Sequence, residues 1–233
     1  MSTLKSQDRK CWAGKKVLCL GDSLTQAGIW TERLHQNLQC QVTRHCGGGL
    51  KMTEIIDGGI SAEGEHPPLH KEQLADKDIV IFFAGYNDRG KADGVLGDLY
   101  DPAVDLETTI AGALQYCINR IYDILRETDN LTCKILIVTP HCVGTYSYIP
   151  QNGYEEYPAK SGRTVRTLAH TMEIVARENS LPVCNLWETS GINRHTWRVY
   201  GAHPYEDQVH CSVQGYELIG DLVTGAIQSY FGW

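Results

Sequence analysis

Short apolar runs that alternate with amphipathic stretches constrain this chain more than any other feature. Residues 16–20 (KVLCL), 78–84 (DIVIFFA), 133–139 (CKILIVT) and 182–186 (PVCNL) are brief, rich in β-branched or aromatic residues, and bounded by polar residues or glycine. A weaker run covers 41–45 (QVTRH). Apolar residues without alternation belong to strands buried on both faces, as in parallel sheets. Between them, Ile110, Leu114, Cys117, Ile118, Ile121 and Leu125 recur at helical spacing and predict a helix over 106–126. The same pattern predicts helices over 164–178 and 213–230, and a shorter one over 30–38. Strand–helix alternation of this kind makes a three-layer α/β/α sandwich of about five parallel strands with right-handed crossovers. No Pro/Gly/Ser linker and no internal repeat divides residues 1–233, so a single domain is expected, with 1–14 as a peripheral N-terminal segment.

Charge and cysteine content narrow the partners. The net charge is −7, the pI is near 5.7, and no Lys/Arg cluster offsets this locally. A nucleic-acid backbone is therefore not an expected partner. No apolar run approaches the roughly 18 residues that span a bilayer, so no membrane association is expected. The first residues, MSTLKSQDRKCWAGKK, lack the apolar stretch of a signal peptide. Nine cysteines occur without a C-x-x-C, several inside apolar runs, which reads as reduced core thiols in a cytoplasmic protein. Nothing in the pattern specifies an oligomeric state.

In an open parallel sheet, ligands bind beyond the carboxyl ends of the strands. That rule selects the loops at 21–27, 46–53, 85–100, 140–162 and 189–210. The last two are long and carry Tyr146, Tyr148, Tyr154, Tyr157, Trp197, Tyr200 and Tyr205, residues suited to a substrate rim. The first holds Gly21-Asp22-Ser23-Leu24-Thr25, where Ser23 stands at a strand's end with a helix to follow. Backbone N–H groups and the helix dipole at such a place favour an oxyanion on an acyl partner. Asp22 and Ser23 are also ordinary turn and N-cap residues. Asp207-Gln208-Val209-His210 lies just before the terminal helix, and its three-residue spacing lets a carboxylate reach the imidazole. Cys46-Gly47-Gly48-Gly49 is either a plain turn or a backbone donor that approaches a ligand closely.

Gly85-Tyr86-Asn87-Asp88-Arg89-Gly90-Lys91 matches seven positions of the phosphate-binding loop G-x-x-x-x-G-K-[ST]. The eighth is Ala92, which has no hydroxyl for Mg²⁺, and the chain continues into glycines and a proline rather than a helix. A nucleotide-binding protein is thus the competing function, and the weaker one. His66 and His70 flank Pro67-Pro68, cannot share a helix face, and read as solvated loop residues rather than metal ligands. G-x-S-x-G is missing, which argues against the α/β-hydrolase fold.

Four blocks in order, Gly21-Asp22-Ser23, Gly49, Gly85-Tyr86-Asn87-Asp88 and Asp207-Gln208-Val209-His210, resemble the SGNH (GDSL-type) hydrolases over almost the whole chain. The second block departs from the family's Asn-x-Gly-x-x-Gly, with Arg44 and Cys46 at its first and third positions, and Cys211 stands where the family often has proline. The resemblance implies a flavodoxin-like fold, with Ser23 as nucleophile, His210 as base and Asp207 as its orienting partner. It also implies an oxyanion hole of the Ser23 N–H, the Gly49 N–H (Gly48 is the alternative) and the Asn87 side chain. No cofactor and no metal are expected. Asp22, Tyr86 and Trp197 are expected to contact substrate. The reaction expected is hydrolysis of a short-chain, acetyl-type ester of a carbohydrate or small alcohol, with a lipase or thioesterase acting on longer chains as the alternative.

Overall fold

The computed structural model describes residues 11–88, 109–143, 165–193, 195–203, 207 and 209–232. Its centre is a sheet of five parallel strands, β1 (Lys16–Gly21), β2 (Gln41–Cys46), β5 (Ile79–Phe83), β6 (Lys134–Val138) and β7 (Val183–Cys184), in the order β2-β1-β5-β6-β7. With the separate β3–β4 hairpin (Gly59–Ser61 and Gly64–His66) set aside, this is the flavodoxin-like order 2-1-3-4-5. The chain moves outward from β1 to β2, then crosses back to β5 on β1's other side. The resulting switch point lies between the carboxyl ends of β1 and β5.

Each central strand feeds two cores, which is why its sequence does not alternate. Leu18, Leu20, Val80, Phe82, Ile135 and Ile137 face one layer. That layer is made by α3 (Met52–Asp57), α4 (Ile110–Glu127) and α5 (Val165–Glu178). Val17, Cys19, Ile79, Ile81, Phe83, Leu136 and Val138 face the other, against α2 (Ile29–Leu38) and α8 (Val213–Phe231). Burying one such large side chain fully is worth roughly 1.5–3 kcal/mol relative to leaving it in water. Trp30 meets Phe83 edge to face at 5.8 Å, joining α2 to β5. Trp12 is buried and packs on Phe231, so this residue of the N-terminal segment joins the core. All nine cysteines are free.

Element ends follow capping chemistry. The helix expected from 106 begins at Ile110, because Thr109 turns its hydroxyl to the Gly112 N–H at 3.0 Å. Ser212 does the same for α8 through the Gly215 N–H. The last strand is shorter than its apolar run. Pro182 has no N–H to give the ladder, and the Asn185 side chain accepts from the Glu188 N–H to start α6 (Leu186–Thr189). Among the described residues, no helix is long and apolar enough to cross a membrane.

Candidate active site

β1 ends in a turn that only glycine permits. A Cβ on Gly21 would lie 2.1 Å from Thr25 Oγ1 and 2.5 Å from the Phe83 carbonyl. Thr25 Oγ1 donates to that carbonyl at 3.2 Å and so pins the turn to the end of β5. Asp22 is the N-cap of α1 (Ser23–Gln26), and its Oδ1 accepts the Leu24 N–H at 3.0 Å. Ser23 is the first residue of α1, where an N–H has no intrahelical acceptor and points outward.

His210 and Asp207 arrive from the other end of the chain. Asp207 Oδ1 accepts the N–H groups of Val209 (3.1 Å) and His210 (3.0 Å), which closes the segment on itself. Its Oδ2 lies 2.8 Å from His210 Nδ1. Burial pushes the Asp207 pKa up, but the His210 and Val209 N–H groups and the imidazole outweigh it, and the carboxyl is held below its ordinary value. An ionised carboxylate only accepts, so Nδ1 carries the proton and Nε2 is left as an acceptor. His210 Nε2 lies 2.8 Å from Ser23 Oγ, across 187 residues of sequence. On the far side of the strand end, Ala202 N–H donates to the His210 carbonyl and Ser212 N–H to that of Tyr200.

The glycine turn after β2 is tied to the end of β1 by the Gly47 N–H, which donates to the Gly21 carbonyl at 3.3 Å. Gly49 has φ +80°, in the left-handed region, is exposed, and leaves open space where a side chain would be. Asn87 Nδ2 donates to the carbonyl of Leu50, the next residue, at 3.0 Å. That bond fixes which end of the amide is nitrogen, and an NH₂ group has a second hydrogen to offer. Asp88 Oδ2 accepts the Met52 N–H at 2.9 Å, at the first residue of α3. Two consecutive residues from the end of β5 therefore clamp the chain that follows Gly49. Sequence reasoning misses this role of Asp88, although its motif names the residue, because its partner lies 36 positions away.

The three expected substrate contacts need correction. Asp22 (0% exposed), Trp197 (4%) and Tyr86 (5%) are all interior and offer a ligand almost no surface. Asp22 is a structural cap. Burial raises its pKa to about 7; the Leu24 N–H pulls the other way, and the Asp88 carboxylate adds to the rise. Trp197, in α7 (Trp197–Tyr200), stacks at 6.3 Å on His141. That histidine is itself buried behind the site, with Nε2 3.5 Å from Cys211 Sγ. His66 is no solvated loop residue either: its ring meets His45 with the Nε2 atoms 3.2 Å apart. Of the expected aromatic rim, Tyr146, Tyr148, Tyr154, Tyr157 and Tyr205 fall outside the described residues, as do Gly90 and Lys91 of the near phosphate loop. Gly85–Asp88 is a tight turn whose Asn87 and Asp88 side chains bond the glycine turn and α3 rather than a phosphate. Among the described residues, no group of three or more His, Cys, Asp or Glu side chains is placed to hold a metal ion.

A five-stranded sheet of order 2-1-3-4-5 with serine, histidine and aspartate gathered at one carboxyl edge belongs to a known class of hydrolases. This chain is a member of the GDSL-like lipase/acylhydrolase family, whose model matches residues 19–218. It is a hydrolase that acts on esters. Solved structures agree on the fold. A protein from Lactobacillus plantarum superposes with TM-score 0.67 at 17% identity, over 94% of this chain and 99% of that one. The lipase/acylhydrolase of Enterococcus faecalis gives 0.58 at 17% identity, over 92% and 96%. A lipase-like protein from Chitinophaga pinensis gives 0.62 at 16% identity, over 92% and 98%. No curated protein sequence matches the chain.

Proposed function

We propose that the chain is a serine esterase that removes short, acetyl-type acyl groups from a carbohydrate or small alcohol by way of an acyl-enzyme. The observation that carries this is the continuous relay Ser23 Oγ–His210 Nε2 and His210 Nδ1–Asp207 Oδ2, each 2.8 Å, at the carboxyl edge of β1. Ser23 Oγ attacks the ester carbonyl while His210 Nε2 takes its proton, and Asp207 stabilises the imidazolium that forms. The tetrahedral oxyanion lies among the Ser23 N–H, the Gly49 N–H and the second Nδ2 hydrogen of Asn87. Collapse expels the alkoxide, which takes the proton from His210. Water, deprotonated by the same nitrogen, then cleaves the acyl-enzyme and restores Ser23.

The preference for a short acyl group and a polar alcohol is supported by the described rim. Gln26 and Glu63 lie beside Gly48, and Arg44, packed on Gly28, donates Nη1 to the Gln26 carbonyl at 3.1 Å; none of the three makes an apolar channel. The test compares p-nitrophenyl acetate with a long-chain p-nitrophenyl ester, on wild type and Ser23→Ala, with a fluorophosphonate probe added. Acetate should be the better substrate, and Ser23→Ala should lose both turnover and labelling. Faster cleavage of the long-chain ester overturns the substrate assignment. Turnover that survives in Ser23→Ala overturns the mechanism.

A further inference from the structure

We infer that Glu63, at the tip of the β3–β4 hairpin, is a positioning residue for the oxyanion site: it occupies the Gly48 N–H and thereby leaves Gly49 as the donor. The inference rests on the esterase reading above. Gly47 to Leu50 form a turn closed by Leu50 N–H to the Gly47 carbonyl at 3.4 Å, and two neighbouring N–H groups in it could face a ligand. The hairpin tip takes both polar groups of the first. Glu63 Oε2 accepts the Gly48 N–H at 3.3 Å, and the Ala62 N–H donates to the Gly48 carbonyl at 2.8 Å. With both flanking peptide planes held, rotation about Gly48 is blocked, and Gly49 follows in its left-handed conformation at φ +80°.

A third element reaches the same turn. The side chain of Gln26, the last residue of the nucleophile helix α1, lies beside Gly48; Gln26 first, and the Gly48 N–H after it, hold Glu63 below its ordinary pKa. The hairpin tip and the helix that carries Ser23 thus meet at the turn that carries Gly49. There is no slack in the joint. A Cβ on Gly48 would stand 3.1 Å from Ala62 Cβ and 3.1 Å from Gln26 Oε1. The same tip adds nothing to the core, since Ala62 and Glu63 are both exposed. An exposed carboxylate that caps one specific N–H beside a reaction centre is placed to set direction rather than to stabilise the fold.

The test uses Glu63→Ala and Glu63→Gln, with p-nitrophenyl acetate kinetics and amide hydrogen exchange of Gly48 read together. In Glu63→Ala, kcat should fall about tenfold with KM within about twofold, a fraction of the 10²–10³ lost when a donor is removed outright. The Gly48 amide should exchange about tenfold faster. Glu63→Gln keeps an oxygen acceptor and should restore most of both. A loss of kcat below twofold in Glu63→Ala overturns the inference, as does a Gln variant as impaired as the Ala one. Should Glu63→Ala melt early, Gly48→Ala gives an independent reading: its methyl displaces the same tip, so its effect and that of Glu63→Ala should not add, and additivity overturns the inference. Failure of the esterase reading shows elsewhere, as turnover that persists in Ser23→Ala.

Discussion

The histidine side of the site is held by its own segment, whereas the side proposed to hold the oxyanion is built by residues drawn from several elements. Asp207 takes the N–H groups of Val209 and His210 and faces the imidazole, all within four residues. Gly49 depends on Asn87 and Asp88 from the end of β5, and its neighbour Gly48 on Ala62 and Glu63 from the hairpin. Local hydrogen bonds form wherever the segment goes; distant ones require the sheet to be in register first. The first arrangement therefore tolerates change around it, and the second transmits any shift of β5 or the hairpin to the donor.

Asp207→Asn probes the self-contained side and should have the largest effect. The Asn oxygen can still accept both backbone N–H groups, so the segment should keep its shape and Tm should move by a degree or two. The amide's NH₂ then faces His210 Nδ1 and favours the tautomer with the proton on Nε2, which cannot accept from Ser23. A kcat loss on the order of 10³–10⁴ is expected. A loss below tenfold would show that the carboxylate is not the group that orients His210.

Asn87→Ala tests the distributed side, with a loss on the order of 10²–10³ in kcat and little change in KM, because the oxyanion exists only in the transition state. Here a structural cost should accompany the kinetic one. The Leu50 carbonyl loses its donor, which costs about 1 kcal/mol of stability or somewhat more. Steady-state kinetics beside urea unfolding separates the two. A rise in KM with kcat intact would place Asn87 in ground-state binding instead.

The same contrast explains what the sequence discloses. β1, β5 and β6 are legible because both their faces are buried, so the apolar run and the strand coincide within a residue or two. Ser23, Asn87, Asp207 and His210 are legible because each lies in a short block at a strand or helix end, and the fold brings the first, third and fourth of them into hydrogen-bond contact. The hairpin at 59–66 is not: its strands are three residues each, carry glycine and glutamate, and owe their place to pairing with one another and with Gly48. Trp197 misleads because a tryptophan in a loop-like stretch looks like a rim residue, while here it packs on buried His141. His66 misleads for the opposite reason, since its partner His45 lies in the weak edge strand β2, 21 residues earlier. Partners at such distance leave no local pattern.

The smallest effect expected is on stability against pH, and it involves both sides, because each has a buried histidine beneath it. His45, under the glycine turn, has its pKa lowered to about 4 by burial and by His66, although its bond to the Ile55 carbonyl at 2.9 Å opposes this. His141, behind His210, is likewise lowered to about 4, first by burial. In the unfolded chain both titrate near 6.5. Between about pH 6.5 and 4, unfolding therefore takes up two protons at these sites, and stability falls as pH falls. His66, lowered by burial, adds in the same direction. Asp22 works against them: its folded pKa of about 7 lies above the unfolded value near 3.8, so in this window unfolding releases a proton. The carboxyl of Asp76, held at about 2 by Lys16 and then Lys77, joins the histidines only below about pH 5. The net uptake is one proton or slightly more, about 1.4 kcal/mol per pH unit at most near the centre of the window for each net proton. Asp22→Asn keeps the oxygen that caps Leu24 but removes the opposing titration, so its stability should fall more steeply on acidification, by about one further proton. Urea unfolding at half-unit steps from pH 7 to 4.5 measures both slopes. A wild type that gains stability over that range, or an Asp22→Asn variant with a shallower slope, would mean that these groups are not neutral in the fold, and that the acid limit lies in one half of the site rather than beneath both.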